Sequence, residues 1–421
     1  MNEIAASGPR PAVGDGLSLA TPAAAAGIRT RVVDHLRAFI TVLVVMHHAL
    51  LAYHPYAPPS SGSFAAPPML WRAFPVIDAA RMPGADGLVA LNDTFFMALM
   101  FLVGGLFVQR SLDARGAAGY VRERALRLGV PFVVCAAFLA PLAYYPAYLQ
   151  SGGVPGLAGY WDAWSSLGVW PAGPAWFLWV LFAFATLAAL ARLVFPRLGD
   201  ALARTWGALG ERPARFWFAL TLASVAVYVP VAWAVDPMDW TAWGPFAIQT
   251  ARTLLYALYF TVGMGVGAYG TDRGLFAADG KLARRWALWN GVAITLFIVL
   301  IALVIAIFVA MGKGEAPGLA LLTSTNIAFC AASAALGLMT IAFFARFAPR
   351  WTGGAWASLD RSAYGIYLVH YVFVAWVQYA LLDAALPGVA KAGLAFGGAL
   401  ALSWGATALL RRIPAVARAI G

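Results

Sequence analysis

Ten stretches of this chain are long and apolar enough to cross the ~30 Å hydrocarbon core of a bilayer, and no other feature restricts its fold so tightly. They begin near Leu36, Thr94, Leu128, Pro174, Phe216, Ile248, Arg285, Leu319, Ala363 and Val389. With 62% hydrophobic and only 11% charged residues, the chain cannot cover a soluble surface. The expected fold class is therefore an all-α integral membrane protein, a bundle of about ten transmembrane helices. A net charge of +11 would suit a nucleic-acid partner if it were clustered, but the basic residues are spread among short segments between apolar runs. No nucleic acid is expected, and the bilayer itself is the first partner.

Sidedness follows from the same residues. Of 29 Lys and Arg, all but Arg72, Arg81, Arg252, Lys313 and Lys391 fall on the side of the N-terminus. Basic residues stay in the cytoplasm, so both termini and the segments around Arg115, Arg204, Lys281 and Arg350 are expected there. The protein is expected to be multi-pass in the plasma (bacterial inner) membrane. Residues 1–30, rich in Ala, Pro and Gly, read as a disordered cytoplasmic tail, residues 31–413 as the transmembrane domain and residues 414–421 as a cytoplasmic C-terminal tail. The longest external connection runs from His54 to Asp93 and carries Pro-Pro pairs at 58–59 and 67–68, as a lid or a plain linker would. Trp161, Trp164, Trp170, Trp240 and Trp243 are expected in the outer interfacial belt, with sugar stacking as the other role.

Chemistry concentrates on the first helix. At about 100° per residue, position i+11 returns to within ~20° of position i, so Arg37, Thr41, Val44 and His48 share one stripe. Four of the five histidines (His35, His47, His48, His54) lie in or beside this helix. Ionisable groups at membrane depth are costly and face a cavity or a partner. His47 points ~100° away from His48, which suits a different role better than joint coordination of a metal. A second candidate is Arg124 with Arg127, three residues apart at a cytoplasmic helix end, where two guanidinium forks could grip phosphates or simply obey the charge rule. A third is His370, nine residues beyond Arg361 and so ~13 Å into the bilayer, either a packing group or a partner at the depth of His48. Cys135 and Cys330 fall in apolar runs, and no disulfide framework or metal site is expected. There is no Gly-x-Ser-x-Gly elbow, Walker A loop or His-Glu-x-x-His.

Taken in order, Asp34-His-Leu-Arg37 with Val-Val-Met-His-His48, Phe95-Phe-Met with Gly104-Gly105, Arg124-x-x-Arg127 with Pro131, Trp176-Phe-Leu-Trp179, and Tyr364-Gly-Ile-Tyr-Leu-Val-His370 resemble the acyltransferase type 3 family of multi-span membrane acyltransferases. The resemblance covers most of the chain beyond residue 30. It implies an O-acyltransferase that moves an acyl group, acetyl or succinyl, from cytoplasmic acetyl-CoA or succinyl-CoA to a hydroxyl of an extracytoplasmic glycan or similar acceptor. His48, Arg37 and Asp34 are the implied catalytic group, Arg124 and Arg127 the donor-binding pair, and His47, Trp176, Tyr367 and His370 the substrate-binding residues. The sequence departs from the family in having His35 where Asn is usual before Leu-Arg, and Gly104-Gly105 where Ser-Gly is common.

A neutral imidazole with a reference pKa of ~6.5 suits a base that deprotonates an attacking hydroxyl, and His48 is the candidate, with an acyl-imidazole relay as the variant. Arg37 lies ~16 Å away along the axis, so it would position the donor or pair with Asp34. The rival reading is a transporter or glycan-export partner that uses the buried Arg and His without acyl transfer.

Overall fold

A computed structural model describes the backbone of residues 22–59, 62–64 and 74–420, with side chains from Arg31 onward. Residues 1–21 of the expected tail, the Pro67–Pro68 pair and Arg72 lie outside the described residues. In chain order the helices are α1 (Pro22–Leu51), α2 (Ala85–Gly105), the long α3 (Val108–Gln150), α4 (Leu157–Ser165), α5 (Trp176–Val194), α6 (Leu198–Leu202), α7 (Pro213–Ala234), α8 (Thr253–Tyr269), α9 (Lys281–Arg284), α10 (Trp286–Gly312), α11 (Leu319–Phe347), α12 (Gly354–Ala380), α13 (Gly388–Leu410) and α14 (Pro414–Ile420). Each of the ten apolar runs is largely helical, although the one expected from Ile248 begins in a strand and becomes α-helical only at Thr253. Among the described residues, eight helices are long and apolar enough to cross a bilayer. The other two runs are α8, of 17 residues, and α12, whose first turns carry Asp360 and Arg361.

Several boundaries differ from the sequence reading. The helix α1 reaches back to Pro22 through an alanine-rich stretch, so residues 22–30 are helical rather than part of a disordered tail. Helix α2 begins at Ala85, nine residues before the apolar run, which shortens the irregular connection after His54. The expected C-terminal tail forms α14, with Ile420 buried. Between α7 and α8 stands the one non-helical element of the described residues, an antiparallel hairpin of β1 (Trp240–Trp243) and β2 (Phe246–Gln249), with Trp240 opposite Gln249. Trp161 and Trp243 are exposed as a belt requires, but Trp164 is buried against Tyr144, Tyr160 and Trp170 and belongs to the core.

Small residues bring α2 and α8 together. A Cβ at Gly263 would overlap the Leu102 carbonyl, one at Gly267 the Leu106 carbonyl, and one at Gly105 the Phe260 carbonyl. Backbones that approach this closely are a common solution for helices packed in lipid, where burial of apolar surface gives no advantage over lipid contact. Gly105, one of the two glycines at the Ser-Gly position, is thus explained by packing.

Helix α3 is irregular, and its prolines free backbone carbonyls for partners from elsewhere in the fold. Its path is broken at Gly116 (φ +68°) and passes through two π-helical segments, Ala125–Gly129 and Cys135–Leu139. Pro131 has no N–H to give the Arg127 carbonyl four residues earlier, and the Tyr364 hydroxyl donates there instead. Pro146 likewise leaves the Leu142 carbonyl to Trp376 Nε1, at 3.0 Å. Pro141, the π-spaced partner of Ala136, leaves that carbonyl to Trp170 Nε1 at 2.8 Å. Two of these three donors sit on α12, so α3 and α12 are tied together by side chains occupying gaps in the backbone ladder.

The described residues just ahead of α2 are tied to the bundle on several sides. Asp78 N donates to the Ala52 carbonyl at 3.0 Å and Met82 N to the Tyr53 carbonyl at 2.8 Å, while Gln150 Nε2 on α3 donates to the Ile77 carbonyl at 2.6 Å. Lys391 at the start of α13 donates to both Asp78 oxygens, at 3.1 and 2.8 Å, with the two side chains 3% and 2% exposed. Residues 74–84 therefore act as a clasp across one end of the bundle.

Candidate active site

The stripe on α1 forms as its spacing requires. Arg37 and Thr41 border a cavity of about 190 Å³, together with Arg124, Arg127, Tyr364 and Tyr367. Its apolar wall includes Phe177 and Leu181 of α5, and its floor Ala419 and Ile420 of α14. Gly104 borders it too, where a Cβ would press on the Leu181 side chain. Three arginines from two helices thus line one opening.

Glu123, which the sequence reading passed over, sits between the two arginines. Its Oε1 is 3.1 Å from Arg127 Nε and its Oε2 3.5 Å from Arg124 Nε. Arg124 also lies over the Tyr120 ring at 5.2 Å. One carboxylate thus stands between the two guanidinium groups, close to Arg127 Nε and in a longer ionic contact with Arg124 Nε. The signal was present in the sequence as a Glu one residue from one arginine and four from the other.

His48 lies about three turns further along α1. Its Nδ1 is 2.8 Å from the Val44 carbonyl and 3.3 Å from His370 Nε2. His370 is fully buried, and its Nδ1 is 2.6 Å from the Tyr367 carbonyl. A carbonyl only accepts, so Nδ1 of each ring must carry the hydrogen. His370 then presents a bare Nε2 to His48 Nδ1–H, and the basic site of His48 is its Nε2. Gln378 Nε2 donates to the carbonyls of His48 and Ala49, both at 3.0 Å, locking α12 onto the last turns of α1. Tyr371 sets the edge of its ring against His48, with centroids 5.2 Å apart.

Not every expected residue gathers here. His370 was expected among the substrate-binding residues, yet both of its nitrogens are engaged and it touches His48. Asp34 was expected in the catalytic group, but it stands ~21 Å from His48 by helical rise and approaches Arg37 at 4.0 Å, so it belongs to the arginine end. Trp176 packs against Phe101, Trp240 and Tyr256 rather than against His48. His47 meets His48 edge-on, centroids 5.3 Å apart, and stacks on Phe96.

Tyr367 lies between the two regions. It borders the arginine-lined cavity and also a small space of about 20 Å³ lined by Cys135, Pro174, His370 and Tyr371. Its hydroxyl donates to the Pro174 carbonyl. That carbonyl belongs to the short turn before α5, where Gly173 (φ +56°) passes so close to Tyr371 that a Cβ would crowd the ring at 2.9 Å. His35, the departure from the family's Asn, joins α1 to α12 instead: its Nδ1 is 2.7 Å from Asp360 and its ring stacks on Trp356 and Trp351.

The bundle thus holds a hydrogen-bonded pair of imidazoles further along α1 than an arginine-lined cavity. The profile of the acyltransferase 3 family, described as an acyltransferase domain, matches residues 31–408, and the chain belongs to that family. It is a multi-pass membrane acyltransferase. No curated protein and no solved structure matches it.

Proposed function

We propose that the chain transfers an acetyl or succinyl group from a cytoplasmic acyl-CoA to a hydroxyl on an extracytoplasmic glycan or similar acceptor. The observation that carries this reading is the hydrogen-bonded pair of His48 and His370, which fixes the tautomer of His48 and reserves its Nε2 as a base. The acceptor hydroxyl oxygen attacks the thioester carbonyl while His48 Nε2 takes its proton. As the tetrahedral intermediate collapses, the C–S bond breaks and the imidazolium returns the proton to the departing CoA thiolate. In the relay variant Nε2 itself attacks the thioester carbonyl and the C–S bond breaks with departure of the CoA thiolate; the acceptor hydroxyl then attacks the acyl-imidazolium, the C–N bond breaks, and the hydroxyl proton passes to the thiolate.

The cavity supports the donor half of this reading. About 190 Å³ is less than the ~300–1,000 Å³ of a pocket that encloses a whole drug-sized ligand. The acylated pantetheine arm would occupy it, with the phosphates of CoA held at the mouth by Arg124 and Arg127 through paired, charge-assisted hydrogen bonds. Arg37 adds charge to the same mouth, steadied by Asp34. With the inner-face placement expected from charge counting, this mouth opens where acyl-CoA is found. Purified protein in nanodiscs, given acetyl-CoA or succinyl-CoA labelled in the acyl group, tests the proposal. Label should appear on a hydroxylated acceptor as free CoA is released. Movement of acceptor across the bilayer with no loss of thioester would overturn it in favour of transport.

A further inference from the structure

A second polar cluster lies beside His48 and takes no part in its hydrogen bonds. Arg252, just ahead of α8, is 6% exposed; its Nη2 donates to Asp93 Oδ2 at 2.6 Å and its Nη1 to the Asp93 carbonyl at 3.0 Å. Its guanidinium rests 4.8 Å above the Phe329 ring. Arg252 Nε is buried without a hydrogen-bond partner, and so is Nδ1 of His47. The Asp93 side chain is 38% exposed, and its Oδ1 accepts no hydrogen bond among the described residues.

The other buried ion pair shows what a purely structural version looks like. In Lys391–Asp78 both side chains are nearly inaccessible and both carboxylate oxygens are bonded. Asp93–Arg252 instead buries the cation, which fixes the anion, and leaves one carboxylate oxygen open. The surroundings are aromatic. Trp176 meets Trp240 at 83° with centroids 5.3 Å apart and lies at 31° to Tyr256, which is one turn beyond Arg252 on α8. Trp240 is 36% exposed. One turn along α2 from Asp93, Phe96 stacks on His47 at 5.2 Å, and His47 in turn touches His48.

We propose that Asp93, oriented by Arg252, together with the Trp176–Trp240 pair that Tyr256 joins to this region, is the subsite for a polyhydroxylated ring, a pyranoside with vicinal hydroxyls. A carboxylate with an open oxygen accepts hydrogen bonds from adjacent hydroxyls, and the tryptophan faces pack against the C–H face of the ring while its edges stay polar. His47, whose ring meets both Phe96 and His48, links this cluster to His48. The subsite rests on the acyl-transfer reading only in naming His48 as the place where the ring's reactive hydroxyl arrives.

Calorimetric titration of nanodisc-embedded protein with methyl and p-nitrophenyl hexopyranosides, without acyl-CoA, tests the subsite by itself. Wild-type protein should bind a pyranoside and reject its analogue lacking the vicinal diol. Asp93→Asn should weaken binding at least ten-fold and Trp240→Ala at least three-fold, with acyl-CoA affinity unchanged. Because Asp93→Asn disturbs a buried pair, Trp240→Ala, at an exposed position, provides the second readout. No pyranoside binding by the wild type, or equal binding by both variants, overturns the subsite. Labelled acetyl-CoA turnover on the same preparations separates the two ideas: binding without transfer keeps the subsite and removes the transferase reading of His48, whereas transfer with an unchanged acceptor KM in both variants does the reverse.

Discussion

Nε2 of His370 stands 3.3 Å from Nδ1 of His48, joining the last turns of α1 to the middle of α12. Residues 322 positions apart thereby form one unit. The two rings are bonded differently: both nitrogens of His370 are engaged, whereas His48 uses Nδ1 alone and leaves Nε2 for the proposed role of base.

His48→Ala should therefore reduce kcat by ~10²–10⁴-fold, the range expected for loss of a general base, with the protein still inserted. His47→Ala should spare kcat. Removing His370 should lower kcat by roughly 10–100-fold, as when the orienting partner of a working histidine is lost, because Val44 still accepts from Nδ1. His370→Gln, whose carbonyl can take over as acceptor, should restore part of that loss while His370→Leu should not, and the donor KM should stay constant through the series. Initial-rate measurements with acyl-CoA check this, and an active His48→Ala enzyme would reject the assignment.

Donor affinity should depend on Arg124 and Arg127 and run opposite at Glu123. Each charged hydrogen bond removed costs about 1.5–3 kcal/mol, so Arg124→Ala or Arg127→Ala should weaken acyl-CoA binding by roughly 10–100-fold. Lys at either site should recover only part, because it keeps the charge and loses the fork. Glu123→Gln removes a negative charge from between the two guanidinium groups and should tighten binding. Equilibrium dialysis with labelled CoA measures all three, and equal affinity in the double alanine variant would move the donor site elsewhere.

The orientation inferred from charge counting has a direct check. Cysteine introduced at Gly62, where nothing lies within 4 Å of a new side chain, should react with an impermeant thiol reagent in intact cells. Cysteine at the exposed Ala201 on α6 should not. The reverse pattern would place the arginine-lined mouth away from the acyl-CoA pool.

The clasp of residues 74–84 depends on a pair that should not be broken singly. Lys391→Met or Asp78→Leu alone leaves an unpaired buried charge and should cost about 3–5 kcal/mol, whereas the double change should recover much of that loss. Thermal unfolding of the detergent-solubilised protein, followed by tryptophan fluorescence, distinguishes the two outcomes.

How far the sequence was legible depended on how local the signal was. The ten helices could be read because apolar length is a property of one segment at a time. Alignment of Arg37 with His48 was likewise dictated by the period of a single helix. The pairing of His48 with His370 could not be read in the same way: two matching depths do not say which neighbour α1 will face, and that is decided by Gln378 and by the α3–α12 contacts. Asp93–Arg252 was invisible for the same reason, because Asp93 looked like the end of a loop and Arg252 like a stray charge on the outer side. Trp164 misled in the opposite direction, because its place near the outer surface suggested a belt and gave no hint of the aromatic cluster that encloses it. Pro131 was noticed as part of a motif, but its effect, an unfilled carbonyl on Arg127 awaiting Tyr364, appears only when both helices are in place.

Tyr367, anchored to the Pro174 carbonyl, makes the wall between the arginine-lined cavity and the His370 side about one side chain thick. If the proposed transfer holds, a two-carbon or four-carbon fragment has only this side chain to reach past, while the nucleotide end of its carrier stays at the arginines. The bilayer's electrical insulation would then be kept throughout turnover, because no continuous water column has to open for so small a group to pass.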